Sequence, residues 1–122
     1  MPKTISAGEL KKKLDQGASI KIIDTLSADS YDKCHIPGAI NIPLNELSSQ
    51  APDKLNKKDE IVVYCGSYEC TRSTKAFETL QKMGFKNVWE FEGGLKEWQE
   101  KKFPCQGGAN PEAVRAQFKK AA

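Results

Sequence analysis

The residue best placed for chemistry in this 122-residue chain is Cys65, one of four cysteines. It follows the apolar, mostly β-branched residues 61–64, which predict a buried parallel strand. A polar loop and a helix come next, and the loop N–H groups and the positive end of the helix favour an anion there. A thiol at this place is shifted toward the nucleophilic thiolate. The position predicts covalent catalysis at a sulfane sulfur or a phosphorus atom, with an inert buried cysteine as the alternative.

The loop after Cys65 is the predicted substrate-binding segment. Its residues are Gly66, Ser67, Tyr68, Glu69, Cys70 and Thr71, and the following helix begins near Arg72. Arg72 either binds a substrate anion or pairs with Glu69 at the surface. Cys70 either packs beneath the loop or forms a disulfide with Cys65, which requires Cα atoms within about 7 Å of each other.

The remaining candidate residues favour structural roles. Asp24 ends a predicted strand and is expected to hold a loop or cap a helix near the site. His35 is the single histidine and lies in a turn, where a hydrogen bond to a loop is more typical than general-base catalysis. With one histidine and no close CxxC pair, we expect no metal site. Cys34 and Cys105 are interpreted as packing or incidental thiols.

Strand and helix signals alternate along the chain. The expected strands are Thr4–Ile5, Ile20–Asp24, Ala39–Ile42, Glu60–Cys65 and Asn87–Phe91, and the clearest helices begin near Ser6, Ala28, Thr71 and Leu95. This alternation predicts an α/β fold with a central, mainly parallel five-stranded sheet and helices on both faces. Sites in such sheets lie beyond the carboxyl ends of the strands, where Asp24, Thr25 and Cys65 fall.

The length fits a single domain, which we assign to residues 1–103, with residues 104–122 as a C-terminal extension. In the extension, Asn110 and Pro111 are typical of a helix start, and Val114 and Phe118 share one helical face. A terminal helix is therefore expected, outside the site.

Composition excludes several functional classes. Charged residues make up 29% and the net charge is +3, carried by scattered lysine groups, so nucleic-acid binding is not expected. The longest apolar run, Ile61–Cys65, is far short of the ~20 residues that span a membrane. The first residues resemble no secretory signal, so we expect a cytoplasmic location with reduced thiols rather than a disulfide framework.

Several short motifs, taken in order, resemble those of the single-domain rhodaneses, sulfurtransferases that carry sulfur as a cysteine persulfide. Residues 35–43 (HIPGAINIP) match the HIPGA-N-P segment of the family, and Asp24 matches the aspartate that ends the preceding strand. Residues 62–65 (VVYC) match the strand and its nucleophile, residues 72–85 the RSxxA…L…GF helix, and residues 87–98 the closing NV…GG…W. The resemblance covers about residues 4–102.

The resemblance implies a Cys65 nucleophile that takes sulfur from thiosulfate or a polysulfide and passes it to cyanide, a thiol or a protein acceptor. It implies no cofactor, and partners limited to small sulfur-containing anions and a thiol or protein acceptor. Three departures bear on substrate choice. Arg72 lies two positions further from the cysteine than in the common loop, Leu26 replaces a frequent arginine, and Cys34 replaces a glycine.

Two other functions remain as hypotheses. A redox-sensing or interaction module would use the Cys65/Cys70 pair as a switch, with Cys70 as a possible resolving thiol. A phosphatase or arsenate reductase on the same fold would suit a lengthened loop, but it expects a histidine where Tyr64 precedes the cysteine.

Overall fold

The computed structural model describes residues 3–107, which form a twisted parallel sheet with helices on both faces. The strands are β1 (Ile20–Asp24), β2 (Ile40–Asn41), β3 (Glu60–Tyr64) and β4 (Val88–Phe91), and their spatial order is β2-β1-β3-β4. Every pair of neighbouring strands is parallel. The predicted α/β class and the helices on both faces are confirmed.

The expected fifth strand is reduced to a single parallel bridge between Thr4 and Glu90, beside β4. The N–H of Ile5 donates to the Glu90 carbonyl (3.1 Å), and the N–H of Glu90 donates to the Lys3 carbonyl (2.7 Å). The strand cannot lengthen because Ser6 already caps the first helix, with its hydroxyl accepting from the N–H of Glu9 (3.1 Å).

Five α-helices and one 3₁₀ turn accompany the strands in the described part of the chain. They are α1 (Ala7–Asp15), α2 (Ala28–Lys33), the 3₁₀ turn Leu44–Glu46, α3 (Leu47–Lys54), α4 (Arg72–Lys82) and α5 (Gly94–Glu100). None of these helices is long and apolar enough to cross a membrane.

Strand β3 lies at the centre and contributes side chains to two cores, because successive residues of a strand face opposite sides of the sheet. Ile61 and Val63 join the core that contains residues of α3 and α4, including Phe77. Val62 and Tyr64 join the core on the other face, which contains Trp98 of α5. The near-complete burial of β3 is what fixes the position of the residue that follows it.

The residues after α5 pack against the domain rather than leaving it. The indole N–H of Trp98 donates to the Pro104 carbonyl (2.7 Å), and His35 and Gln106 exchange two backbone hydrogen bonds (2.7 and 2.8 Å). Cys105 forms a disulfide with Cys34, with Cα atoms 5.6 Å apart. The interpretation of these two cysteines as unconnected thiols is wrong, because the tail returns to the end of α2. The terminal helix expected after residue 109 lies outside the described residues.

Candidate active site

Cys65 lies immediately after β3, at the carboxyl edge of the sheet, and its side chain is 1% exposed. The first turn of α5 holds the backbone at this point. The N–H of Leu95 donates to the Cys65 carbonyl (3.0 Å), and the N–H of Lys96 donates to the Gly66 carbonyl (2.8 Å). The start of α5 therefore positions the backbone of Cys65, the predicted nucleophile.

Gly94 allows this close approach between α5 and the loop. Its φ is +63°, and a Cβ there would lie 2.5 Å from the Cys65 carbonyl oxygen and 2.9 Å from the Ser67 nitrogen. In the sequence, the pair Gly93-Gly94 indicates only a turn. Nothing in the spacing alone indicates that this turn lies against the cysteine.

The loop folds back on itself and joins its two cysteines. The N–H of Cys70 donates to the Ser67 carbonyl (3.1 Å), closing a turn, and the Cα atoms of Cys65 and Cys70 are 6.2 Å apart in a disulfide. Of the two possibilities that the sequence left open for Cys70, pairing with Cys65 is the one present. In this form the Cys65 sulfur carries no free thiol.

A tyrosine anchors the outer part of the loop. The hydroxyl of Tyr68 donates to one oxygen of Glu97 on α5 (3.0 Å), and the N–H of Ala7 on α1 donates to the other (3.0 Å). The hydrogen bond and the negative charge of Glu97 raise the pKa of the Tyr68 phenol. The sequence gave no signal for Glu97, since its role depends on three segments meeting.

Most backbone N–H groups of the loop remain available. Within the described part of the chain, only Cys70 among residues 66–71 uses its N–H in a hydrogen bond to another residue. Such groups, gathered before the first turn of α4, can hold an anion. Anion binding by this loop stays a prediction, and these N–H groups are the donors that such binding would use.

Two cavities of different charge lie in this region, one lined by residues of the loop and the other by Arg72, which follows the loop. One, of about 210 Å³, is lined by Ser67, Tyr68, Glu69, Gly93, Lys96, Glu97 and Glu100. The other, of about 300 Å³, is lined by Thr25, Ser27, Pro43, Leu44, Asn45 and Arg72. The first contains three carboxylates against one lysine, whereas the second contains one arginine and no acid. The second cavity is therefore the one that favours a small anion.

Arg72 and Thr25 are the lining residues that relate this second cavity to the loop after β3. Arg72 is exposed at the first position of α4 and makes no ion pair with Glu69 or any other described residue. Thr25 donates through its N–H (3.1 Å) and its hydroxyl (2.8 Å) to the carbonyl of Tyr64, the residue before Cys65. Thr25 therefore links the lining of this cavity to the residue that precedes Cys65.

A buried carboxylate fixes the ends of β1 and β3. Asp24 accepts from the hydroxyl of Tyr64 (2.6 Å) and from the N–H of Leu26 (2.9 Å), while the same hydroxyl accepts from the N–H of Ile36 (3.1 Å). Burial raises the pKa of Asp24 in spite of these bonds, and burial beside Asp24 raises the pKa of Tyr64. Asp24 touches backbone and a tyrosine, which are the contacts of a structural residue.

His35 is held in a similar way. Its Nδ1 donates to the Tyr31 carbonyl (2.7 Å), and its ring stacks on that of Tyr31 with centroids 3.6 Å apart. Its backbone pairs with Gln106, so the histidine lies where the C-terminal segment meets the domain. It contacts no residue of the loop 66–71 through a hydrogen bond.

A second buried carboxylate, which the sequence reading missed, fixes the start of α4. One oxygen of Glu90 accepts from the hydroxyls of Ser73 (2.9 Å) and Thr74 (2.7 Å), and Glu90 is 2% exposed. An acid inside an otherwise apolar strand was the available signal. Among the described residues, no group of three or more histidine, cysteine, aspartate or glutamate side chains could hold a metal.

Comparison with known proteins agrees with this geometry. The family described as "Rhodanese-like domain" matches residues 6–101. The putative sulfur carrier protein YrkF of Bacillus subtilis is 39% identical over 97 residues, which cover 80% of this chain and 51% of that protein. The thiosulfate sulfurtransferase GlpE of Coxiella burnetii is 33% identical over 95 residues, covering 78% of this chain and 82% of that protein.

A solved structure shows the same architecture. The BH2092 protein of Bacillus halodurans superposes with a TM-score of 0.83 at 30% identity, covering 88% of this chain and 78% of that one. The chain spans about half the length of the first curated relatives that it matches. Because the family match extends over most of the sequence and agrees with the fold, the chain belongs to the rhodanese-like domain family.

Proposed function

We propose that this domain is a sulfurtransferase in which Cys65 carries sulfane sulfur as a persulfide. The observation that carries the proposal is the position of Cys65, at the end of the buried central strand and at the start of a loop with free N–H donors. Those donors suit the terminal sulfur of a persulfide, which is an anion. A relative named as a thiosulfate sulfurtransferase and one named as a putative sulfur carrier support the same reading.

The reaction begins from the dithiol form of the loop. The Cys65 thiolate attacks the outer sulfur of thiosulfate, a new S–S bond forms, and the S–S bond of thiosulfate breaks to release sulfite. A thiophilic acceptor, such as cyanide or a thiol, then attacks the outer sulfur of the persulfide and returns Cys65 to the thiolate. The transferred sulfur keeps its sulfane oxidation level, so neither step needs an external oxidant or reductant.

The donor anion enters from the cavity that Arg72 lines. This side offers a guanidinium without a competing carboxylate, whereas the opposite cavity contains Glu69, Glu97 and Glu100. The loop residues 66–71 surround the transferred sulfur with N–H groups, and Arg72 balances the charge of the donor. A thiol-rich cytoplasm would supply both acceptors and a reductant for the loop disulfide, in line with the location predicted from the sequence.

The test uses the reduced full-length chain, freed of reductant and mixed with thiosulfate. In a Cys70→Ser variant, in which no loop disulfide can form, intact mass should increase by one sulfur atom, located on Cys65 by peptide mapping, and cyanide should remove it as thiocyanate. Cys65→Ser should abolish both, while a Cys34→Ala/Cys105→Ala double variant should keep turnover within about threefold because the Cys34–Cys105 disulfide joins the tail to the end of α2 and not to the loop. Thiocyanate formation by Cys65→Ser near the wild-type rate would refute the proposal.

A redox switch is the second candidate function, and the Cys65–Cys70 disulfide is the observation that favours it. In that case an oxidant such as peroxide forms the bond and blocks Cys65, and a dithiol reverses it. Transfer activity that disappears with peroxide and returns fully with dithiothreitol would support the switch. A protein in which peroxide leaves both cysteines reduced and activity intact would exclude it.

A further inference from the structure

We infer that Cys70 gives this domain a second reaction, the release of sulfide from the Cys65 persulfide at the expense of a dithiol reductant. The inference rests on the proposed function, since it requires the persulfide. It adds a product that sulfur transfer to cyanide or a thiol acceptor does not form. It also gives the lengthened loop a chemical role.

The first argument is geometric. The loop already brings the two sulfurs into a bond, with Cα atoms 6.2 Å apart and within the range of ordinary disulfides. The turn from Ser67 to Cys70 is what reverses the chain. The Cys70 sulfur therefore reaches the inner sulfur of a Cys65 persulfide while β3 and α4 remain in place.

The second argument concerns access. Cys65 is buried, whereas Cys70 is half-buried on the outer part of the loop. Thiol–disulfide exchange requires an incoming thiolate to reach one sulfur of the bond. A dithiol can attack Cys70 from solvent and leave Cys65 as the departing thiolate, the form required for the next attack on a donor.

The third argument is that the loop ends are fixed independently of its sulfur chemistry. The Cys65 carbonyl is held by Leu95, and the first turn of α4 is held by Glu90 through Ser73 and Thr74. The disulfide closes only the short segment between these anchors. Its formation and cleavage therefore leave the rest of the edge of the sheet unchanged.

The reaction balances as follows. The Cys70 sulfur attacks the inner sulfur of the persulfide, a Cys65–Cys70 bond forms, and the bond between Cys65 and the outer sulfur breaks. The outer sulfur leaves as hydrosulfide with the proton of Cys70. A dithiol then donates two electrons by exchange, becomes a disulfide itself and restores both thiols.

The experiment measures sulfide after a single addition of thiosulfate to the reduced full-length chain, with no reductant present. Wild type should release close to one equivalent of sulfide per chain and lose the Cys65 and Cys70 thiols to a disulfide. Cys70→Ser should instead accumulate the Cys65 persulfide and release sulfide at least about tenfold more slowly. Ser48→Ala, a small substitution on the exposed surface of α3 and away from the loop, is the control and should behave as wild type.

Two outcomes separate the inference from the proposed function. If both proteins form a stable persulfide and neither releases sulfide, Cys70 does not resolve it and the inference is wrong, while the proposed function stands. If neither protein forms a persulfide, the proposed function fails and the inference fails with it. Equal sulfide release by wild type and Cys70→Ser also overturns the inference, because another thiol must then be responsible.

Repeating the measurement in the Cys34→Ala/Cys105→Ala background removes that other source of thiols. A Cys34→Ala/Cys105→Ala protein that keeps Cys65 and Cys70 should still release sulfide, because the second disulfide lies at the end of α2 and forms no part of the loop. Loss of sulfide release in this background would assign the reaction to Cys34 or Cys105 and contradict the role of Cys70.

Discussion

The two disulfides should differ in their contribution to stability, because they close loops of very different length. Cys34 and Cys105 are 71 residues apart, and Cys65 and Cys70 are five apart. The loop-entropy relation gives about 4 kcal/mol for the first bond and about 2 kcal/mol for the second. Removing the Cys34–Cys105 bond should therefore lower the free energy of unfolding by about 2 kcal/mol more than removing the loop bond.

The contacts around Cys105 add to this difference. Trp98 donates to the Pro104 carbonyl and Gln106 pairs with His35, so the disulfide fixes a segment that covers part of the core beside α5. Once the bond is removed, the end of the domain depends on non-covalent contacts such as these. If these contacts open when the disulfide is absent, their loss lowers the free energy of unfolding further, in the same direction as the lost loop closure.

The assay is urea unfolding of three proteins without reductant, after thiol titration has established which bonds are present. They are the wild type, Cys34→Ala/Cys105→Ala and Cys65→Ala/Cys70→Ala, and the last is the matched control for replacing two cysteines. The same curves in dithiothreitol isolate the packing effect of each substitution from the effect of the bond. In reductant, wild type should lose most of its advantage over both variants.

Equal losses from the two double variants would refute the loop-length reasoning. A Cys34→Ala/Cys105→Ala protein as stable as oxidised wild type would show that the tail bond contributes nothing to folding. Both results are readily resolved, since about 2 kcal/mol shifts the denaturation midpoint of a domain this size by roughly 1 M urea.

Two further substitutions test the positioning of Cys65. Gly94→Ala should lower the free energy of unfolding by about 2 kcal/mol or more and reduce sulfur transfer, because its Cβ would lie 2.5 Å from the Cys65 carbonyl oxygen. The control is Gly8→Ala, where a Cβ meets no atom within 4 Å, and it should leave the free energy of unfolding unchanged or raise it. Asp24→Asn should cost about 1–3 kcal/mol, since the Tyr64 hydroxyl loses a carboxylate acceptor. Burial raises the pKa of Asp24, so the folded state binds its proton more tightly than the unfolded state, and this contribution to stability is present below the unfolded pKa and lost as pH rises through the folded one. The cost of Asp24→Asn in urea unfolding should accordingly be larger near pH 4 than near pH 7, and a cost that increases with pH would contradict the assigned direction.

Much of the fold can be predicted from local sequence patterns. The buried run after Glu60, the capping box at Ser6 and the alternation of strands with helices all have direct counterparts in the structure. The first strand is shorter than expected because the same Ser6 that starts α1 ends the pairing with β4. The class of a parallel α/β fold is therefore predictable from sequence, whereas the extent of an edge strand depends on where its neighbour begins.

In the site as well, features that depend on nearby residues can be predicted from the sequence, and features that depend on distant segments cannot. That Cys65 and Cys70 could meet was foreseeable, because five residues of a loop can reverse direction in one turn. Cys34 and Cys105 offered no such indication, since their proximity depends on where a tail 71 residues later returns to the end of α2. Glu97 gave no sequence signal for the same reason: its partners belong to α1 and to the loop.

Hydrogen bonds around Cys65 are concentrated at the end of β3 and the start of α4, and few are made by the loop between them. Asp24 and Thr25 secure the end of β3 through Tyr64, and Glu90 secures the start of α4. Between them, residues 66–71 make few bonds of their own, so their N–H groups remain free for an anion and their cysteines for exchange. A more fully bonded loop would hold Cys65 equally well, but it would have fewer donors for a persulfide and would resist the turn that brings Cys70 to it. In the reactions that we propose, the sparse bonding of this loop, next to a firmly held edge of the sheet, would thus allow Cys65 to carry sulfur and Cys70 to remove it.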